Sequence, residues 1–294
     1  MQIIETHIAK KQKETIRFQE YGVKIFTTIT TKSGLKKAIK KELIFIDGLV
    51  ATTSKYISGG EKITLINNEK TPFSKKLKLT LEVLFEDDYL AIVYKPSGLL
   101  VSGNKFVTLK NALPQNLKQS KQKDAVLPQP IHRLDYPTSG VLLIGKTSSS
   151  IQKLSKLFET KQITKTYFAV TTGKMCKDGT INLTIDHKNA ITDFLVIKAV
   201  NSERFTNLNL VKLMPKTGRK HQLRKHMAGI GHQILGDKNY GETELILNGK
   251  GLYLHAFSLT FLHPFTAEKL HVSKELPKKF NKIFSETSAL IALK

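Results

Sequence analysis

Residues 67–78, NNEKTPFSKKLK, carry neither a helical nor a strand period of apolar side chains. The length fits one large domain or two unequal ones; these residues interrupt the hydrophobic patterning and read as a linker. Residues 1–66 ahead of it read as a small α/β unit. A short helix is expected over 35–41 with Ser33 as its N-cap. A strand follows at 43–46, then an Asp47-Gly48 turn and a return strand at 49–52. Asp-Gly between apolar runs is a strong hairpin signal. Gly59-Gly60 makes another turn, and 62–66 closes the unit as a strand.

From residue 79 the texture changes, and 79–294 reads as one larger domain. Strands are expected at 81–85 and 90–94 around the acidic turn Glu86-Asp87-Asp88, and residues 115–128 read as a surface loop. A buried strand at 141–144 precedes an amphipathic helix over 148–158, with Ile151, Leu154, Leu157 and Phe158 on one face. Further strands are expected at 166–170, 194–200, 208–213 and 252–261. A helix at 221–228 ends in Gly229-Ile230-Gly231, and a short closing helix follows Glu275. Mixed elements without βαβ alternation argue α+β, with no internal repeat.

The net charge is +23 and the pI about 9.9, which favours polyanionic partners through counterion release. A lysine-rich proteome would give the same excess, so charge alone does not decide the matter. Both parts of the chain are basic, with +9 in residues 1–78. The lone Cys176 excludes an internal disulfide and a cysteine-rich zinc site. No apolar run is long enough to span a bilayer, and no apolar stretch follows the N-terminal charges, so a cytoplasmic location is expected.

Three segments bring reactive side chains together. PIHRLDYPTSGVLLIGKT (130–147) packs a histidine, an arginine and an aspartate ahead of a turn and a hydrophobic strand. A nearby cation keeps a carboxylate ionised, as a nucleophile or base requires. Taken alone, a structural Arg133–Asp135 pair is the plainer explanation. MPKTGRKHQLRKHMAGIGHQILGDKNYG (214–241) concentrates Lys216, Arg219, Lys220, Arg224 and Lys225 at a turn and the following helix, with Thr217 as a candidate cap. A solvated basic helix with Leu223 and Met227 facing the core is its bland counterpart. KTYFAVTTG (165–173) alternates as a strand, with Tyr167 and Ala169 on one face and Phe168 and Val170 on the other. Such a tyrosine can stack on a base, although most strand tyrosines simply pack. His221, His226 and His232 lack zinc spacing, and no Walker, dinucleotide, kinase or GxSxG motif is present.

Together with YKPSGLLV (94–101) and LHAFSLTFLHPFT (254–266), these segments resemble the RluA family of pseudouridine synthases in order and spacing over roughly residues 80–280. His132, where the small-subunit branch has glycine, points to this branch. Residues 31–66 are similar to the alpha-L RNA-binding motif. The resemblance implies a mixed, largely antiparallel catalytic sheet behind a small RNA-binding domain. It implies Asp135 as catalytic aspartate, Tyr167 packing on the target uracil and Arg224 pairing with Asp135. Leu223 would line the pocket; His132, Arg133, Arg219 and His221 would engage the substrate. Position 136 is often basic in the family; here Tyr136 and Pro137 call a phosphate contact into question.

The implied reaction breaks C1′–N1 of uridine, turns the base and joins C5 to C1′. It needs a carboxylate near the sugar and no redox step, so neither an organic cofactor nor a metal is expected. Attack of Asp135 on C1′ and removal of the C2′ proton both stay open. The expected partner is RNA, with ribosomal favoured over transfer RNA, and the expected state is a monomer off the membrane. A non-catalytic RNA binder explains the charge equally well but needs none of Asp135, Tyr167 and Arg224. An aspartate-dependent hydrolase would want a second carboxylate or a metal cluster.

Overall fold

The computed structural model of the chain describes residues 2–67, 77–247 and 249–284, so the linker reading at 68–76 lies outside them. The chain divides into two compact units. The first holds the residues up to 67 with 120–126 and 147–149; the second holds the other described residues.

The first unit contains β1 (Gln2–Ile8), β2 (Ile16–Arg17), α1 (Phe18–Tyr21), α2 (Lys32–Lys40), β3 (Ile44–Ile46), β4 (Leu49–Val50), β5 (Tyr56–Ile57) and β6 (Lys62–Asn67). Leu35, Ala38 and Ile39 recur at helical spacing on α2 and are buried, which is what holds so short a helix in place. Its N-cap is Thr31, whose hydroxyl accepts from Gly34 N; the expected Ser33 lies inside the helix. Capping works from the residue that is still extended, and Thr31 has φ −127°. At the other end Glu42 turns left-handed at φ 55°, and Leu43 N reaches back to Ala38 O at 3.1 Å to close the last turn. The β3–β4 hairpin turns at Asp47 and Gly48, both at positive φ, as a two-residue turn of this twist demands. The four-stranded sheet runs β1-β6-β3-β4. No helix-like or strand-like period announced β1, whose Ile3, Ile4 and Ile8 stand exposed beside a bulge.

The second unit contains β7 (Val83–Glu86), β8 (Leu90–Lys95), α3 (Leu109–Asn116), β9 (Ala125–Pro130), β10 (Ser139–Thr147), α4 (Ser148–Glu159), β11 (Thr164–Thr172), β12 (Asp178–Asn182), β13 (Ile191–Ser202), β14 (Thr206–Pro215), α5 (Gln222–Gly229), β15 (Leu254–Leu262), β16 (Lys269–Ser273) and α6 (Lys278–Asn281). The sheet order is β12-β13-β14-β11-β15-β10-β8-β7, with β9 on β10 and β16 on β15. The pairs β7–β8, β8–β10, β11–β14, β11–β15, β12–β13, β13–β14 and β15–β16 are antiparallel, and β10 runs parallel to β15 at Ser139–His255 and Gly140–Ala256. The fold is thus α+β with a largely antiparallel sheet.

The loop expected over 115–128 is shorter. Thr108 caps α3 through Asn111 N, carrying helix to residue 116, and β9 takes up the far end. The run AVLPQP hid that strand, because proline is admitted only where no ladder N–H is required. Alternation on β8 and β10 sends Ile92, Val141 and Leu143 to one face with Leu154 of α4, and Val93, Leu142 and Ile144 to the other with Leu109 and Leu113 of α3. Each such leucine truncated to alanine would cost about 2–5 kcal/mol. The closing helix expected after Glu275 is one turn, α6, with Phe280 and Phe284 buried; residues from 285 onward lie outside those described. Among the described residues no helix is long and apolar enough to cross a membrane.

Candidate active site

Asp135 stands on the loop between β9 and β10, and three features fix that loop. Thr138 N donates to Asp135 O at 3.1 Å, closing a turn through Pro137. Gly140, at φ 132°, lets β10 run against β15, since a Cβ there would sit 2.1 Å from Ala256 O. Buried Ser139 Oγ and His255 Nδ1 are 2.9 Å apart across the same junction.

From below, the YKPSGLLV segment grips the loop. The fully buried Lys95 Nζ donates to Pro96 O and Leu99 O at 2.9 Å each and to Tyr136 O at 3.3 Å. Gly98 N also donates to Tyr136 O, and Ser97 Oγ to Pro137 O. Burial brings the Lys95 ammonium down to about 8, against the upward pull of Asp135. Sequence reading placed this segment near the loop but singled out no residue in it.

From above comes α5. Arg224 Nη1 lies 3.5 Å from Asp135 Oδ2, and His221 Nε2 lies 3.7 Å from Oδ1. The expected Arg224–Asp135 pair is therefore a single long contact. The two-pronged pair is with Asp237: Nε to Oδ2 and Nη2 to Oδ1, both 2.7 Å, with both side chains buried. Asp237 Oδ1 also accepts from Asn239 N and Tyr240 N, so the GDKNYG turn presets it. The Tyr240 ring lies 5.0 Å from the Arg224 guanidinium, and its hydroxyl is 2.8 Å from His221 Nδ1. His221 has φ 55°, a left-handed conformation uncommon outside glycine and held here by these neighbours. Burial lowers its imidazole below the usual range, opposed by Asp135 and reinforced by Arg224.

A cavity of about 390 Å³ opens above Asp135, within the range of small-ligand sites. His132, Arg133, Tyr167, Arg219, His221, Leu223 and Arg224, all read from the sequence, line it together with Asp135. Tyr167 sits beside a bulge in the β11–β15 pairing, the kind of irregularity that re-aims a side chain. It packs on both clusters of that sheet face, those of α3 and α5. Burial and then the Asp135 charge push its phenol above the usual range, so it keeps its proton at neutral pH. Lys165, which sequence reading passed over, also lines the cavity, and burial lowers its ammonium.

Other residues take different places from those expected. His132 accepts from Leu143 N at 3.1 Å and lies 4.7 Å from the Phe158 ring. Burial, reinforced by Lys165, holds its imidazole down to about 3, so it is neutral and braces the loop. Arg133 makes no ion pair with Asp135 among the described residues, which removes the plainer explanation of HRLD. Thr217 does not cap α5: its hydroxyl donates to Gln222 Oε1 and accepts from Ile191 N. The helix starts one residue late, at Gln222, because His221 is left-handed. His226 bonds Thr192 and Leu183 O, and His232 bonds Thr172 O, so both serve the local structure. Among the described residues no group of three His, Cys, Asp or Glu is placed to hold a metal.

The family model for RNA pseudouridylate synthase matches residues 89–229, which span this loop, Tyr167 and α5. The chain is 30% identical to ribosomal large subunit pseudouridine synthase C of Rickettsia felis, over 92% of this chain and 96% of that one. It is 36% identical to tRNA pseudouridine synthase C of Pasteurella multocida, over 66% of this chain and 90% of that one. The solved structure of human RNA pseudouridylate synthase domain containing 4 superposes with a TM-score of 0.55 at 26% identity, covering 68% of this chain and 90% of that one. The fold is that of an RNA-modifying isomerase. The chain belongs to the RNA pseudouridine synthases, in the RluA family.

Proposed function

We propose that this chain isomerises a specific uridine in structured RNA, ribosomal rather than transfer, with Asp135 as the catalytic carboxylate. The observation that carries this is Asp135 at the cavity floor, faced by Arg224, His221 and the protonated Tyr167. Extruding the uridine costs about a few kcal/mol, which cationic contacts to the backbone offset. Asp135 then attacks C1′ or takes the C2′ proton, and N1 leaves with the bond electrons. The uracil turns against Tyr167 and Leu223, and C5 bonds C1′ as either the Asp135–C1′ ester breaks or Asp135 returns its proton to C2′; C5 then gives up its proton to solvent, and N1 takes one up. Tyr167 suits a hydrogen bond to the departing ring, since its hydroxyl keeps its proton. Arg224 and Lys95 hold positive charge beside the carboxylate. Arg133 and Arg219 contact the substrate strand.

Residues 1–66 serve as an RNA-binding module of the alpha-L type, and the chain from 79 is the catalytic domain. The ribosomal preference rests on coverage. An alignment over 92% of the chain takes in most of residues 1–66, whereas one over 66% has room to omit them. Mapping pseudouridines in ribosomal and transfer RNA from cells with and without the gene tests the reading. A ribosomal site lost on deletion should return with the parent gene and not with Asp135→Asn. That near-isosteric change should lower turnover by at least roughly 10²–10⁴-fold, the reach of one general base. Restoration of the site by the asparagine variant, or a lost site confined to transfer RNA, would overturn the corresponding half of the reading.

A further inference from the structure

The wall of the uridine pocket has a second side. His132 and Arg133 line both that pocket and another, more open cavity of about 340 Å³, whose remaining walls are Val101, Ser102, Lys110, Gln129, Pro130 and Ile131. We propose that this second cavity binds a nucleotide adjacent to the one being modified, an inference that rests on the RNA-isomerase reading above.

The chemistry of the lining selects the ligand class. Val101, Pro130 and Ile131 offer apolar surface to a base face, and Gln129 and Ser102 offer an amide and a hydroxyl to a base edge. Lys110 and Arg133 supply the cations a phosphodiester needs. Neither holds an ion pair among the described residues, and both are exposed. That sets them apart from Lys216, Arg224 and Lys225, each committed to a carboxylate. The walls are firmly placed: Lys110 N donates to Val101 O at 2.9 Å, and Leu109 N to Leu100 O at 2.8 Å. A partition only two residues long fits neighbours in one strand, whose riboses are joined by a single phosphate. Arg133, common to both cavities, is placed to meet that phosphate. Holding the adjacent nucleotide on this side keeps the target uridine from restacking on it, so part of the extrusion cost is met outside the reaction pocket.

The test uses the full-length protein and substrate RNAs carrying each of the four bases on either side of the target uridine. KM and kcat are measured for the parent, Gln129→Ala and Lys110→Gln, with melting temperatures as a folding control. Gln129→Ala should raise KM by about tenfold, what one base contact supplies, and flatten base preference at one flanking position. Lys110→Gln, on an exposed side chain, should raise KM equally for all four bases and make it less sensitive to salt. In both, the loss should fall on KM more than on kcat. Parent-like KM and flanking preference in both variants, or losses confined to kcat, would overturn the proposal. A parent that forms no pseudouridine would instead bring down the functional reading, so the two failures are separable.

Discussion

Two basic helices in this molecule look alike as sequence and differ in what their charges do. On α2, Lys36, Lys37 and Lys40 are exposed and hold no ion pair among the described residues; only Lys32 meets an acid, Glu20. Around α5, Lys216 binds Asp193, Lys225 binds Asp186, and Arg224 is locked to Asp237. Solvated lysines attract a polyanion from a distance and are screened by salt within about 10 Å at 0.1 M. A buried guanidinium fixed on two oxygens fixes geometry instead, and salt screens it far less. Cations therefore stand solvated in one region and are held in fixed geometry in the other.

The sharpest way to break this contrast is to strip Arg224 of its partner. Asp237→Ala leaves a buried unpaired cation, which should cost about 3–5 kcal/mol of stability and show as a lower unfolding midpoint. Arg224→Lys keeps the charge but loses the fork. Its kcat should fall roughly 10²-fold with KM little changed, because the ground-state RNA contacts remain. Parent-like turnover of the lysine variant would mean that α5 supplies charge alone, as α2 does. Tyr167→Phe probes the uncharged member of the same site. It keeps the ring, so RNA binding should hold, and it removes the donor, so single-turnover rates should drop by about tenfold or more. Equal rates would reduce Tyr167 to a packing residue.

On the other side of the contrast, changing Lys36, Lys37 and Lys40 together to glutamine should weaken RNA binding. For every phosphate no longer neutralised, the log–log salt slope should become shallower by about 0.7–0.9, read from titrations at several salt concentrations. An unchanged slope would deny the first unit its part in RNA binding. A last comparison separates the two units by acid. His132 in the second unit is neutral with its imidazole near 3 against an ordinary 6.5, so its stabilising contribution is lost as pH falls below 6.5, at up to about 1.4 kcal/mol per pH unit. In the first unit burial would raise Glu61, but hydrogen bonds from Ser58 and Gly59 hold it near 2 against 4.5, so its contribution is lost only below 4.5. Amide exchange on the full chain should therefore show the second unit loosening first between pH 6.5 and 4.5. Earlier loosening of the first unit would reverse that assignment.

Much of this was legible before any coordinates. Periodicity located the hairpin at Asp47-Gly48, the helix carrying Leu154 and the alternation that separates Tyr167 from Phe168. The residues later found around one cavity lay in segments whose clustering of His, Arg and Asp was visible as spacing. Long-range partners were not. Asp237 is 13 positions from Arg224 and 102 from Asp135, and nothing local marks which carboxylate takes the fork. Lys95 was not singled out, because burial against backbone carbonyls leaves no periodic trace. Thr31 and Ser33 are equally good caps by residue type; the choice between them is made by backbone angle. Strand β1 and the end of β9 escaped because their apolar residues face out or are interrupted by proline.

The parallel join of β10 to β15 carries a consequence for how the enzyme is made. Ser139 and His255, bonded across it, are 116 residues apart in the chain. Closing a loop of that size sacrifices entropy before any packing rewards it, so such pairings form late. During synthesis the HRLD loop emerges long before the strand that anchors its far end. A nascent chain halted before residue 254 thus holds Asp135, Tyr167 and Arg224 without the strand that aligns them. Competence for catalysis waits on the synthesis of β15, and this one junction sets the moment.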